Sequence, residues 1–263
     1  MFTRLNKHLS RMTAIGTAFG MQHVLSDYVD RIRQKQNIKK AGTKYYLQQL
    51  SYPHYLCARH KSSDYDVLKQ VFQEKEYSCV DDVTNVKVII DCGANAGYAS
   101  CYFLSQFPHA KIYAVEPDPD NVKMCRINTR PYSNRIKIFQ SGIWSHQTGL
   151  VLSQEKYRDG REWAIQVREA NQGENPDLIA TDLSALIKEA GVNSVDILKI
   201  DIERSEIQVF SRNVESWLPK IKNIVIELHD EECELVFFNA MKDYDYERTQ
   251  RGELTVCKNI RDK

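Results

Sequence analysis

From Val86 onward, short β-branched runs alternate with helical segments, and this alternation constrains the fold more than any other feature of the chain. Residues 86–91 (VKVIID), 111–116 (KIYAVE), 135–139 (RIKIF), 195–201 (VDILKID) and 223–228 (NIVIEL) read as buried parallel strands. Between them, residues 97–107 read as a helix stopped by Pro108. Pro117-Asp118-Pro119 opens another that runs to Arg130, with Asp118 as N-cap. Residues 182–190, followed by Gly191, and residues 231–241 complete the set. Residues 150–152 and 164–167 suggest an antiparallel pair. Residues 244–250 and 253–258, joined at Arg251-Gly252, suggest a terminal hairpin. The expected class is α/β, a doubly wound and mostly parallel sheet with right-handed crossovers, whose ligands bind at the carboxyl ends of the strands.

Residues 1–80 have a different texture. They are polar, rich in Lys, Gln and Tyr, and lack strand-like runs; Val67, Leu68, Val71 and Phe72 predict a helix over about residues 66–76. We expect a helical N-terminal extension or cap over 1–80 and the main domain over 81–263. The segment 12–21 is too interrupted by Thr and Gly to read as a signal peptide, and no run approaches the ~18 apolar residues of a membrane-spanning helix.

Composition then excludes several classes of partner. Thirty-six Lys and Arg against 35 Asp and Glu give a net charge of +1, no footprint for bulk nucleic-acid or anionic-membrane binding. Seven cysteines, an odd number with no pair at C-x-x-C spacing, argue against a disulfide framework or a zinc site and for a reducing, cytoplasmic location.

The sharpest local signal is Asp91-Cys92-Gly93-Ala94-Asn95-Ala96-Gly97, which leaves the first core strand and enters the first core helix. The glycines permit a tight turn and close approach of a ligand, and the helix start offers free N–H groups. The spacing is G-x-x-x-G, not the G-x-G-x-x-G of dinucleotide folds, and Asp91 suits a ligand carrying an ammonium better than a pyrophosphate. Glu116, at the end of the second strand beside Pro117, can accept both hydroxyls of a ribose. Ser141 and Gly142 follow the third strand, where they could hold an adenine, and Asp201 ends the fourth. A ligand with amino acid, ribose and adenine parts fits these four strand ends: S-adenosylmethionine.

The chain resembles the FkbM-type family of S-adenosylmethionine-dependent methyltransferases. The likeness rests on IIDCGANAGYAS (89–100), AVEPDPDNV (114–122), SGIWS (141–145), VDILKIDIERSE (195–206) and IVIELH (224–229). Upstream it extends to SSDYDVLKQVFQEKEY (62–77). It departs at Arg204-Ser205, where the family usually carries Gly-Ala. The resemblance implies a Rossmann-like class I methyltransferase fold with a seven-stranded sheet, and O-methylation of a sugar, glycolipid or natural product. Amino-methylating nucleic-acid enzymes of this fold carry D/N-P-P-Y/F after the fourth strand; here the sequence is Asp201-Ile202-Glu203-Arg204.

Methyl transfer is an in-line displacement in which positioning supplies much of the rate, and a base for the hydroxyl would add ~10²–10⁴-fold. Asp201, Glu203, Glu227 and His229 stand at the right strand ends, with His229, Glu203 and Asp201 the leading catalytic candidates; His229 is favoured by an unperturbed pKa near ~6.5. Too few further ligands stand in reach to expect a metal. Lys199 alternates in register with Asp201 and could orient a hydroxyl or simply pack by its stem. The expected cofactor contacts are Asp91, Gly93, Asn95, Gly97, Glu116, Pro117, Ser141, Gly142 and Asp201. The expected partners are a small-molecule or carbohydrate hydroxyl acceptor and, optionally, a second copy of the chain (a homo-oligomer), but no nucleic acid. Two rival readings are a catalytically silent S-adenosylmethionine-binding scaffold and an NAD-dependent oxidoreductase.

Overall fold

A computed structural model describes residues 42–48, 52–152 and 167–263. The chain divides between Lys75 and Glu76 into two compact units.

In the first unit, β1 (Lys44–Gln48) and β2 (Tyr55–Arg59) pair antiparallel with Tyr46 opposite Cys57, and α1 (Asp64–Phe72) follows. The strands depart from the expectation of a purely helical segment. Leu56, Cys57 and Ala58 of β2 are buried in succession, so the period-two alternation that betrays a half-buried strand is absent. The turn into α1 is held by a fork. The Arg59 guanidinium donates to both oxygens of buried Asp64 at 2.9 and 2.7 Å, and the Arg59 backbone N–H adds a third bond at 2.7 Å. The helix carries Leu68, Val71 and Phe72 as expected, but it runs over residues 64–72 rather than 66–76. The expectations for residues 1–41 and for 164–166 lie outside the described residues.

The second unit is built on a seven-stranded sheet. Its strands are β3 (Val88–Cys92), β4 (Lys111–Glu116), β5 (Ile136–Gln140), β9 (Ile197–Ile200), β10 (Ile224–Glu227), β11 (Tyr244–Arg251) and β12 (Leu254–Asp262). The order is β5-β4-β3-β9-β10-β12-β11. The first five are parallel, β12 runs antiparallel to β10, and β11 antiparallel to β12. The chain therefore builds outward from β3 through β4 to β5, then crosses back to lay β9 on the other side of β3. The crevice at that reversal is where open α/β sheets bind ligands.

Why these strands register is visible in their side chains. Ile89, Ile90, Ile112, Ile197, Leu198, Ile224 and Ile226 are all buried, as a strand covered on both faces requires. At the amino end, Asp196 locks β3 to β9: its Oδ2 accepts the backbone N–H groups of Lys87 and Val88 at 2.8 and 3.0 Å, and its Oδ1 pairs with Lys222. The helices α2 (Tyr98–Gln106), α3 (Pro119–Asn128), α4 (Leu183–Ala190), α5 (Glu206–Ser211) and α6 (Glu231–Ala240) connect the strands. Asp118, Asp182 and Asp230 each accept a backbone N–H three residues on, caps worth ~1 kcal/mol each. Phe210, Trp217 and Phe237 meet edge to face at 5.0–5.3 Å within the core over the β9–β10 half of the sheet.

A smaller three-stranded sheet has the order β7 (Val167–Glu169), β6 (Gly149–Leu152), β8 (Leu178–Ile179), with Leu152 opposite Val167. The anticipated antiparallel pair is thus present in its described part.

Candidate functional site

The turn from β3 into α2 is shaped by two glycines with left-handed backbones. Gly93 has φ +79°, and a Cβ there would stand 1.8 Å from the carbonyl oxygen of Asp201. No other residue lets the β3 turn lie against the end of β9. Gly97 has φ +84°, and a Cβ there would stand 2.8 Å from the Cys125 sulfur of α3. Between them Asn95 is also left-handed, at φ 49°.

Glu116 organises this turn from β4. Its Oε2 accepts the Asn95 backbone N–H at 2.8 Å, and its Oε1 accepts the Asp118 backbone N–H at 3.0 Å and the Asn121 amide at 3.3 Å. Burial raises its pKa to about 7, against the pull of these donors. The carboxylate sits at the carboxyl end of β4, and Oε2 keeps acceptor capacity beyond its one donor.

Asp91 is fully buried. Its Oδ2 accepts the Ser100 hydroxyl at 2.6 Å, and its Oδ1, which makes no hydrogen bond, lies 3.3 Å from the Lys199 ammonium. Lys199 donates to the backbone carbonyl of Gly93 at 2.7 Å and lies 3.8 Å from Asp201 Oδ2. Burial works against its charge, but Asp91 and Asp201 outweigh that and hold its pKa above the ordinary lysine value. The stem-packing reading of Lys199 gives way to an ion pair that ties β3 to β9. Ser141 directs its hydroxyl to the carbonyl of Ile179 at 2.7 Å. Gly142 packs against Leu150, where a Cβ would stand 2.5 Å from that side chain. Pro117 follows Glu116 into the Asp118 cap of α3.

A second group gathers past β9 and β10. His229, with a side chain only 1% exposed, faces Asp201 Oδ1 at 3.7 Å, Glu203 Oε2 at 3.5 Å and Glu227 Oε1 at 3.6 Å through Nε2. Through Nδ1 it faces Glu206 Oε1 at 3.5 Å. Glu203 and Arg204 both adopt left-handed backbones, at φ 52° and 72°. Two consecutive residues of this kind cost about 1–3 kcal/mol each and turn the Glu203 side chain toward the cluster. Arg204 leads outward to Asp230 at 2.6 Å and Glu232 at 2.9 Å.

Burial disfavours a charged His229, but the carboxylates, Glu206 first, prevail and raise its pKa to about 9. Burial, then Asp201, raises Glu227 to about 8. The near-neutral imidazole expected from the free amino acid is therefore not what the site favours: the surrounding carboxylates shift His229 toward its protonated form. The sequence reading missed two participants. Buried Glu206, the first residue of α5, takes the Ile202 backbone N–H at 2.8 Å and orients His229. Its signal was the acid five residues after Asp201, inside a motif already singled out. Ser100, one helical step past the glycine turn, holds Asp91. The ligand shortage that argued against a metal also fails in space: one donor atom each from Asp201, Glu227 and His229 lie within 4.8 Å of one another.

Comparison with known proteins agrees with this architecture. The family model described as the methyltransferase FkbM domain matches residues 91–250, more than half of the chain, including every residue of both clusters. The chain is 29% identical over 159 residues to the 2-O-methyltransferase NoeI of Sinorhizobium fredii, a match covering 55% of this chain and 64% of NoeI. It is 27% identical over 199 residues to the AMB antimetabolite synthetase AmbE of Pseudomonas aeruginosa, covering 62% of this chain and 9% of AmbE. Against the 31-O-demethyl-FK506 methyltransferase FkbM of Streptomyces tacrolimicus, identity is 25% over 171 residues, covering 54% of this chain and 65% of the relative. The matches thus span less than two thirds of each of these relatives. With a doubly wound sheet, a glycine turn after β3 and an acid at the end of β4, this chain belongs to the FkbM methyltransferase family.

Proposed function

We propose that the chain is an S-adenosylmethionine-dependent O-methyltransferase acting on a hydroxyl of a sugar, glycolipid or natural product. The observation that carries the reading is the pairing of two unlike clusters across one switch point: a bonded glycine turn with Asp91 and Glu116, and an acidic group around His229. The donor set fits the cofactor. Glu116 is a buried carboxylate at a strand end with acceptor capacity left, and Asp91, paired with Lys199 and Ser100, stands buried at the start of the turn. Asn95, Gly93 and Gly97 form the turn beside them, with Asp201 at the end of β9; Pro117, Ser141 and Gly142 border the same strand ends. S-adenosylmethionine, when bound, supplies an electrophilic methyl group on a sulfonium.

The chain's own residues would do the rest. Asp201 and Glu203 hold and orient the acceptor hydroxyl, excluding water with the walls of β9 and β10. Glu203 takes the proton, because the surrounding carboxylates shift His229 toward its protonated form; the imidazolium would steady the carboxylates instead. The names of NoeI and of the FK506 enzyme support oxygen as the atom methylated. A net charge of +1 supports a small-molecule or carbohydrate acceptor over nucleic acid. None of the seven cysteines forms a disulfide, which supports a cytoplasmic location; no described helix is long and apolar enough to cross a membrane. Residues 1–80 are read as an extension outside the catalytic machinery, with self-association as an open route.

The test is calorimetric binding of S-adenosylmethionine, followed by a screen for S-adenosylhomocysteine release over sugar and glycolipid acceptors. Glu116→Ala should weaken cofactor binding by ~1–3 kcal/mol, the cost of leaving buried hydroxyls without an acceptor. Binding without release for any acceptor would favour a silent scaffold, and binding of NAD in its place an oxidoreductase.

A further inference from the structure

We propose that Asp201, Glu227 and His229 form a binding site for a divalent first-row transition cation, with Glu203 at its edge and Glu206 behind the imidazole. Two ligands bound at about 2.1 Å to one ion stand about 3.0–3.5 Å apart at octahedral or tetrahedral angles. His229 Nε2 stands 3.6 Å from Glu227 Oε1 and 3.7 Å from Asp201 Oδ1. Those separations are too long for hydrogen bonds and slightly wider than coordination edges. A small rotation of either carboxylate closes them onto a common ion, which takes the place of the Nε2 proton and releases it to solvent.

The second observation is the imidazole itself. Its side chain is 1% exposed, and Nδ1, 3.5 Å from Glu206, is a buried atom without a hydrogen bond. Burying a ring nitrogen without a hydrogen bond is costly, and the ring points Nε2 into the carboxylates. The opposite nitrogen faces Glu206, whose Oε1 is fixed by the Ile202 N–H. A carboxylate behind a histidine that faces a cation is the usual way such a ligand is oriented.

Charge balance points the same way. Asp91, Asp201, Glu203, Glu206 and Glu227 each bring a carboxylate oxygen within 4 Å of Lys199 or His229. Lys199 reaches the Oδ2 side of Asp201 and leaves Oδ1 turned to His229. Arg204 is drawn off to Asp230 and Glu232. A mixed set of two carboxylates and one imidazole suits a first-row divalent ion better than an all-oxygen calcium site. Three protein ligands leave positions open for the acceptor hydroxyl, whose pKa the ion would lower. Only that purpose rests on the methyltransferase reading; the site's existence does not.

The full chain, stripped with chelator, is titrated with Mn²⁺ and followed by electron paramagnetic resonance. The expected result is one site per chain, with spin-echo modulation from an imidazole nitrogen. His229→Asn and Glu227→Gln should each weaken Mn²⁺ at least ~10-fold, with a cooperative urea unfolding transition as the check that each variant is folded. Absence of Mn²⁺ binding at millimolar concentration, binding without nitrogen modulation, or affinity unchanged in both folded variants would overturn the proposal. Should the variants unfold, nitrogen modulation in the wild-type protein decides alone. Mn²⁺ bound with nitrogen coupling, in a chain that binds no S-adenosylmethionine, would uphold the site and sink the cofactor reading.

Discussion

At the ends of β3 and β4 buried polarity is bonded, and at the ends of β9 and β10 it is left reaching. Glu116 takes three donors and Asp91 takes the Ser100 hydroxyl, so the glycine turn is held in one shape. His229, in contrast, sits among four carboxylates at 3.5–3.7 Å, its buried Nδ1 without a hydrogen bond, over a backbone left-handed at Glu203 and Arg204. The first arrangement suits a ligand bound in one constant pose. The second stores charge and strain, as sites that respond to a proton, an ion or a reacting oxygen do. Lys199 joins the two, touching Asp91 on one side and Asp201 on the other.

The strongest way to break the comparison is to remove that bridge. Lys199→Met would leave buried Asp91 and half-buried Asp201 with no cation between them. The expected loss is about 3–5 kcal/mol of stability, read by urea unfolding. A variant as stable as wild type would show that the two clusters are held apart by something other than Lys199.

A smaller effect separates the clusters by pH. The folded pKa of Glu116 is raised by burial to about 7 from an ordinary value of about 4.5, so the folded state binds its proton more tightly than the unfolded state does. The contribution is fully present below the unfolded value and is lost as pH rises through about 7. Ligand-free protein should therefore lose on the order of 1–3 kcal/mol between about pH 4.5 and 7 from this group. In Glu116→Gln that portion of the slope should vanish, whatever the variant's absolute stability. A slope identical to wild type would mean that the backbone donors, not burial, govern Glu116.

The smallest effect is expected at the rim. The Arg204 side chain is 36% exposed, and its ion pairs with Asp230 and Glu232 are screened by solvent. Arg204→Ala should cost less than ~1 kcal/mol in thermal unfolding. A larger loss would mean that Arg204 pins the left-handed turn at Glu203, and would move it from the rim into the cluster.

Much of the architecture was legible because it is local. The five β-branched runs, the Asp118 cap, Gly191 at the end of α4 and the hairpin at Gly252 each carry their signal within a few residues. The β1–β2 hairpin was not, because three successive buried residues in β2 erase the alternation that marks a strand, and its pairing is supplied by a segment across a loop. The site divides in the same way. Asp91, Gly93, Gly97 and Glu116 could be placed from sequence because each sits at a strand end or at the turn that follows β3. The state of His229 could not, since its pKa depends on Glu206 from α5 and on Asp201 and Glu227 from two neighbouring strand ends.

By itself, then, the order of residues determined the five parallel core strands, where their carboxyl ends bring polar groups, and that a glycine turn follows β3, all consequences of backbone preferences acting over short spans. Tertiary structure alone decided that Lys199 is an ion-pair bridge rather than a packed stem, and that Gly93 is required by the Asp201 carbonyl. It also decided that three donor atoms from β9, β10 and the loop beyond converge within 4.8 Å. Electrostatic energies depend on distances and burial set by the whole sheet, and a linear sequence does not contain them.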